Sequence, residues 1–152
     1  ALTYIRSIAS SYRMAADFFK KHDIHVHVPA GAVPKDGPSA GVAIATALAS
    51  MATNRPVDSD IALSGEVTLT GQILPVGGIK EKVLAARRAG IHTVYLPDRN
   101  EADVEEIKPE LVEEIQFHYV SHVDEVLKKA LLRRRRATTS KAKPKTTPKT
   151  AS

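Results

Sequence analysis

Apolar residues recur at three- and four-residue spacing over residues 2–21 (Ile5, Ile8, Tyr12, Ala15, Ala16, Phe19), which makes one apolar face and predicts a helix. The period then changes. Ile24, Val26 and Val28 alternate with His25 and His27, the two-residue repeat of a strand. Residues 29–38 hold prolines and glycines and read as a loop. Pro38 suits a first helical turn, where its missing N–H costs nothing. A small, apolar run follows, interrupted by Thr46 and Ser50, and predicts a helix to about residue 52. Its alanines allow close packing.

Residues 61–69 read as a strand, Thr70-Gly71 as a turn and 72–75 as the hairpin partner. Gly77-Gly78 opens a helix over 79–89, with Gly90 as its left-handed cap. A strand over 93–96 is stopped by Pro97, and Asn100 is placed to cap a short helix over 101–107. Residues 115–120 make a further strand. Ser121, with Asp124 three residues on, resembles a capping box for a last helix over 123–132. Helices alternating with strands predict an α/β domain. Beyond Leu132 no large apolar side chain occurs, so residues 133–152 are expected to be a disordered tail on a domain of residues 1–132.

Charge divides the chain at the same point. Of the 22 Lys and Arg, eight lie in 133–152 with no acid among them; the remaining fourteen face all 17 acidic residues, a balance of −3. The net charge of +5 is thus a property of the tail, and the domain itself is a poor candidate for a nucleic-acid binder. Eight cations in a flexible tail could bind nucleic acid without regard to sequence, or simply aid solubility. The chain has no cysteine, which excludes disulfides and thiolate chemistry and agrees with a reducing compartment. No apolar run reaches the roughly 18 residues of a membrane span, and the first residues carry no signal-peptide pattern. The chain starts without methionine and reads as a fragment.

Ser39 is the first residue with candidate chemistry. Gly37-Pro38-Ser39-Ala40-Gly41 satisfies G-x-S-x-G, a nucleophile on a sharp turn before a helix, where backbone N–H groups can stabilise an oxyanion. A helix-capping role is the plainer alternative. A nucleophilic serine needs a base. His118 or His122 would complete a Ser–His hydrolase, though either could be an ordinary surface residue. Lys82 borders the apolar face made by Ile79, Val83 and Ala86, where burial would favour the neutral amine, whereas Lys80 points farther out. Both lysines could equally be solvated. His25 and His27 share a strand face but lack a third ligand at a telling spacing, so no metal site is expected. No G-x-x-x-x-G-K-[ST] phosphate loop occurs, and no cofactor site is expected in this chain.

HVHVPAGAVPKDGPSAG and LSGEVTLTGQILPVGGIKEKVLAARRAG closely resemble the proteolytic domain of ATP-dependent Lon proteases, and the resemblance runs over about residues 2–132. It implies a Lon-type α/β fold, a mixed sheet packed with helices, here without the strands that usually precede the first helix. It also implies a serine endopeptidase with a Ser–Lys dyad, Ser39 as nucleophile and Lys82 as base. Ser64 stands where the family usually has threonine and would orient the lysine. His27 and Asp36 match flanking residues, Asp36 as an acid that can shape the loop before the serine. Ala30 stands where many relatives have glutamate. ATP and Mg would act in an ATPase module outside this chain. The expected substrates are unfolded or damaged proteins, the expected assembly is a homohexamer, and the expected compartment is the bacterial cytoplasm rather than a mitochondrial matrix, with no membrane partner.

Overall fold

Three parallel strands form the centre, in the order β1 (Ile61–Leu63), β4 (Thr93–Pro97), β5 (Gln116–Val120). Strands β2 (Glu66–Val67) and β3 (Ile73–Leu74) pair antiparallel in a separate ladder. Parallel and antiparallel pairing therefore both occur, and helices pack on the parallel sheet. The structure is a computed structural model that describes residues 1–15, 17–27 and 37–133. Val28, Ala30, Asp36 and the tail from residue 134 lie outside the described residues.

Alternation along β4 divides the interior in two. Tyr95 enters one apolar cluster with α3 (Gly41–Thr53) and α6 (Val123–Ala130). Val94 and Leu96 enter the other, with α4 (Ile79–Arg88) and α5 (Glu101–Glu105). Residues of the middle strand are buried on both faces, as a parallel sheet requires. Helix α4 places Ile79, Val83 and Ala86 inward, and Gly90 ends it at φ +71°, where a side chain would be strained.

Several expectations change. The helix expected over 2–21 forms only as α1 (Leu2–Ser7) and α2 (Phe18–Lys21). Arg13 takes a left-handed φ of 55°, and the Met14 N–H bonds the Ala9 carbonyl at 2.9 Å, a helix-ending turn that buries Met14. The apolar period is satisfied in pieces, because Ile5, Ile8, Tyr12 and Phe19 still reach one cluster. Residues 24–27 pair with no strand among the described residues, and Val26 is exposed.

The strand expected over 61–69 breaks at Ser64-Gly65. The Ser64 N–H still bonds Tyr95 O at 3.2 Å, but Gly65 turns to the start of α3. Its N–H donates to Ser39 O at 2.9 Å and its carbonyl accepts from Val42 N–H at 3.1 Å. The cap of α6 sits one residue later than expected, at His122 rather than Ser121. The Asp124 N–H donates to His122 Nδ1, and Glu125, not Asp124, reaches back to the His122 N–H at 3.0 Å. Asn100 precedes α5 but does not cap it with its side chain, which is turned to Val76 instead.

Candidate active site

Ser39 stands on the turn before α3, half-buried. Two backbone bonds hold that turn: Gly65 N–H to Ser39 O, and Gly41 N–H to Pro38 O at 3.0 Å. Gly41 is needed there, since a Cβ would lie 2.9 Å from Val67 N and 3.2 Å from Gly65 O. The N–H groups of Gly41 and Val42 are both paired, so the expectation that the start of α3 supplies oxyanion donors moves upstream of Gly41.

Lys82 lies in the first turns of α4, beside the buried Ile79 and Val83. It is half-buried, and burial pulls its ammonium below the ordinary lysine value. Its Nζ donates to the Gly77 carbonyl at 2.7 Å. Lys80 is exposed, as the helical spacing implies.

Ser39 and Lys82 line the same two cavities. The first, about 250 Å³, is walled by Ala40, Ala43, Leu63, Val94 and Leu96, with Ser64 also at its edge. The second, about 310 Å³, is bounded by Gly37, Pro38, Glu66, Val76 and Gly77. Ser39 and Lys82 are not hydrogen-bonded to each other in this arrangement, and the amine keeps N–H bonds beyond the one it gives to Gly77. A hydroxyl and a partly desolvated amine thus meet a mostly apolar hollow with a polar outer wall. Such a pair can exchange a proton once the amine is neutral.

The other candidates lie apart. His118 pairs with Tyr95 across β4 and β5 and stacks on its ring at 4.8 Å. It therefore faces the opposite side of the sheet from Val94 and Leu96, which line the Ser39 cavity. Burial first, and Lys129 second, lower its pKa. His122 is engaged as a helix cap, with Nε2 against Thr70 O at 3.1 Å. His27 is exposed, lines neither cavity, and lies 6.4 Å from the His25 ring. Among the described residues no group of three or more His, Cys, Asp or Glu could hold a metal ion. Asp36 is outside the described residues.

Sequence reasoning missed Glu66, the Gly77 carbonyl and Asn100. Glu66 was legible as the acid of SGEV. The Gly77 carbonyl carries no side-chain signal, and Asn100 is matched to Val76 only through the fold.

The fold and site define an α/β domain with a serine and a lysine on one cavity. Residues 1–133 match the Lon protease (S16) C-terminal proteolytic domain, and the chain belongs to that family. It is 58% identical over 132 residues to a Lon protease of Dictyoglomus thermophilum, covering 87% of this chain and 17% of that protein. It is 59% identical over 132 residues to one of Chloroflexus aurantiacus, covering 87% and 16%. A Lon protease of Aquifex aeolicus is 58% identical over 134 residues, covering 88% and 17%. The chain thus spans about a sixth of the length of the curated relatives it matches. Among the described residues no helix is long and apolar enough to cross a membrane.

Proposed function

We propose that this chain is the proteolytic part of a serine endopeptidase, with Ser39 as nucleophile and Lys82 as general base. The observation that carries the reading is the shared lining of both cavities by these two side chains, one of them a lysine whose charge burial disfavours. The neutral Lys82 amine takes the Ser39 proton as Oγ attacks a peptide carbonyl. The proton then passes to the leaving amine, and water hydrolyses the acyl-enzyme by the same exchange. The oxyanion donors are the N–H groups of Ser39 and Ala40, and Ser64 orients the amine. His27 and Asp36 have supporting roles at the loop, outside the proton transfer.

ATP and Mg act on a separate module that delivers unfolded chains to Ser39. The assembled protein is a homohexamer of the bacterial cytoplasm. This part of the reading rests on the family alone.

The test is cleavage of a fluorogenic peptide by the full-length protein and by Ser39→Ala, Lys82→Ala and His118→Ala. Ser39→Ala and Lys82→Ala are expected to lose at least about a hundredfold in kcat, and His118→Ala to stay close to wild type. The reverse pattern, with His118→Ala dead and Lys82→Ala active, overturns the dyad. The wild-type rate should rise with pH through the Lys82 pKa, at a midpoint below that of an ordinary lysine, because only the neutral amine is a base. Lys82→Arg should show no such rise, since guanidinium stays charged.

A further inference from the structure

Asn100 is buried, 4% exposed, and sits 24 residues from the backbone it holds. Its Oδ1 accepts the Val76 N–H at 3.0 Å, and its Nδ2 donates to the Val76 carbonyl at 3.0 Å. The same Nδ2 also donates to Asp103 Oδ2 at 2.6 Å. One amide thus imitates a strand neighbour, meeting both polar groups of a single residue. Val76 is followed directly by Gly77, whose carbonyl takes the Lys82 amine, and by Gly78, the left-handed residue that starts α4. Two adjacent glycines would leave this segment loose without an outside anchor. Val76, Gly77 and Lys82 all line the second Ser39 cavity.

We infer that Asn100 is a positioning residue for the peptidase reaction, fixing the Val76–Gly77 backbone and through it the Lys82 amine. The inference rests on the proposed roles of Ser39 and Lys82. Asn100 lines neither cavity and touches no reacting group, so it acts only through that backbone. Its side chain does not cap α5. A purely structural anchor of the Val76 backbone is the alternative, and kinetics separate the two.

The test uses the full-length protein and the same fluorogenic peptide. Asn100→Ala removes the whole clamp. The double variant Asn100→Asp with Asp103→Asn exchanges the two side chains: it keeps an acceptor for Val76 N–H and a bond between positions 100 and 103, and replaces the donor to Val76 O by a carboxylate oxygen that repels it. Val104→Ala, in α5 and in the same apolar cluster, controls for lost stability. Asn100→Ala is expected to lower kcat about tenfold or more with KM changed less than about twofold. Its acid limb should move as well, because a loosened Gly77 segment changes both the hydration of Lys82 and its bond to the carbonyl. Among the described residues, Glu66 is the other charged side chain on that cavity, and it is unchanged in every variant. The double variant should also lower kcat, and Val104→Ala should lower the melting temperature with kcat and pH profile intact.

If Asn100→Ala and the double variant melt lower yet keep kcat and the acid limb, Asn100 is merely structural and the inference falls. If Asn100→Ala does not fold, a double variant with wild-type kcat and acid limb overturns it equally. Ser39→Ala and Lys82→Ala run alongside. Should either keep wild-type activity, the dyad itself fails and takes the inference with it, an outcome distinct from a failure of Asn100 alone.

Discussion

Gly41 shows how one missing carbon positions the candidate nucleophile. A Cβ there would press on backbone atoms of Val67 and Gly65, neither of which can rotate away. The only relief is to move α3 from the Gly65 turn, which also carries the bond to Ser39 O. Gly41→Ala is therefore expected to destabilise the domain by about 1–3 kcal/mol, even though alanine suits a helix better than glycine. It should also lower kcat against the peptide more than stability alone explains. Urea unfolding beside peptide kinetics checks both; wild-type kcat at a lower unfolding midpoint would show that Ser39 tolerates the shift. The place of Lys82 beside an apolar face was legible at the same scale, since Ile79 and Val83 mark that face, while its pairing with Ser39 came only from the resemblance. Its tether to Gly77 was not legible, because a backbone carbonyl leaves no mark on sequence. His118 and His122 have the chemistry of a base but could equally be ordinary surface residues, and strand alternation and the α6 cap direct them away from Ser39.

At the scale of elements, α1 is anchored by α6 across the first core. Asp124 Oδ1 accepts the Tyr4 hydroxyl at 2.9 Å and the Tyr12 hydroxyl at 3.1 Å. Tyr4 is 3% exposed, so its O–H would lose its partner with no ready access to water. Asp124→Ala should cost about 2–4 kcal/mol by urea unfolding, while peptide cleavage at low temperature persists, because Asp124 lines neither Ser39 cavity. Burial, then the bond to Asp124, pushes the Tyr12 phenol up to about 12 and raises Tyr4 as well. A folded-state pKa above the unfolded value gives stability that is full below about pH 10 and is lost as pH rises through about 12. Asp124→Ala should weaken that alkaline dependence; an unchanged one would place its origin elsewhere. This anchor explains much of what sequence could not foresee. Periodicity over 2–21 marked Ile5, Ile8, Tyr12 and Phe19, which reach the first core, but it passed over the buried Tyr4 and Met14 and included the exposed Ala15, because α1 ends at Ser7 and the chain turns before α2. Helix α4 and strand β4 were legible because local signals agreed: Gly78 and Gly90 at the ends of one, Pro97 at the end of the other. The single strand expected over 61–69 divided because Ser64-Gly65 found partners in α3 and β4, contacts between residues far apart in the chain.

At the scale of the whole molecule, charge separates two parts that could work independently. The acidic excess of the domain contrasts with the eight cations of residues 133–152. The exit of the tail is well held: Leu132 N–H bonds Pro56 O at 2.9 Å, and Arg55 Nε donates to Leu132 O at 3.0 Å. If the tail binds nucleic acid, each neutralised phosphate should add about 0.9 to the fall of log affinity with log salt, so eight contacts would give a slope on the order of −7. Deletion after Leu132 should then abolish binding to a DNA duplex at low salt and leave peptide cleavage unchanged, because Ser39 and Lys82 both lie in the domain. A salt titration of both forms by fluorescence anisotropy distinguishes the readings. Loss of a steep slope on deletion assigns binding to the tail. The same slope in both forms would require a basic face on a domain whose charges balance at −3, contrary to the division argued above. No binding by either form would leave the cations a role in solubility, set apart from the serine and lysine that the fold brings together.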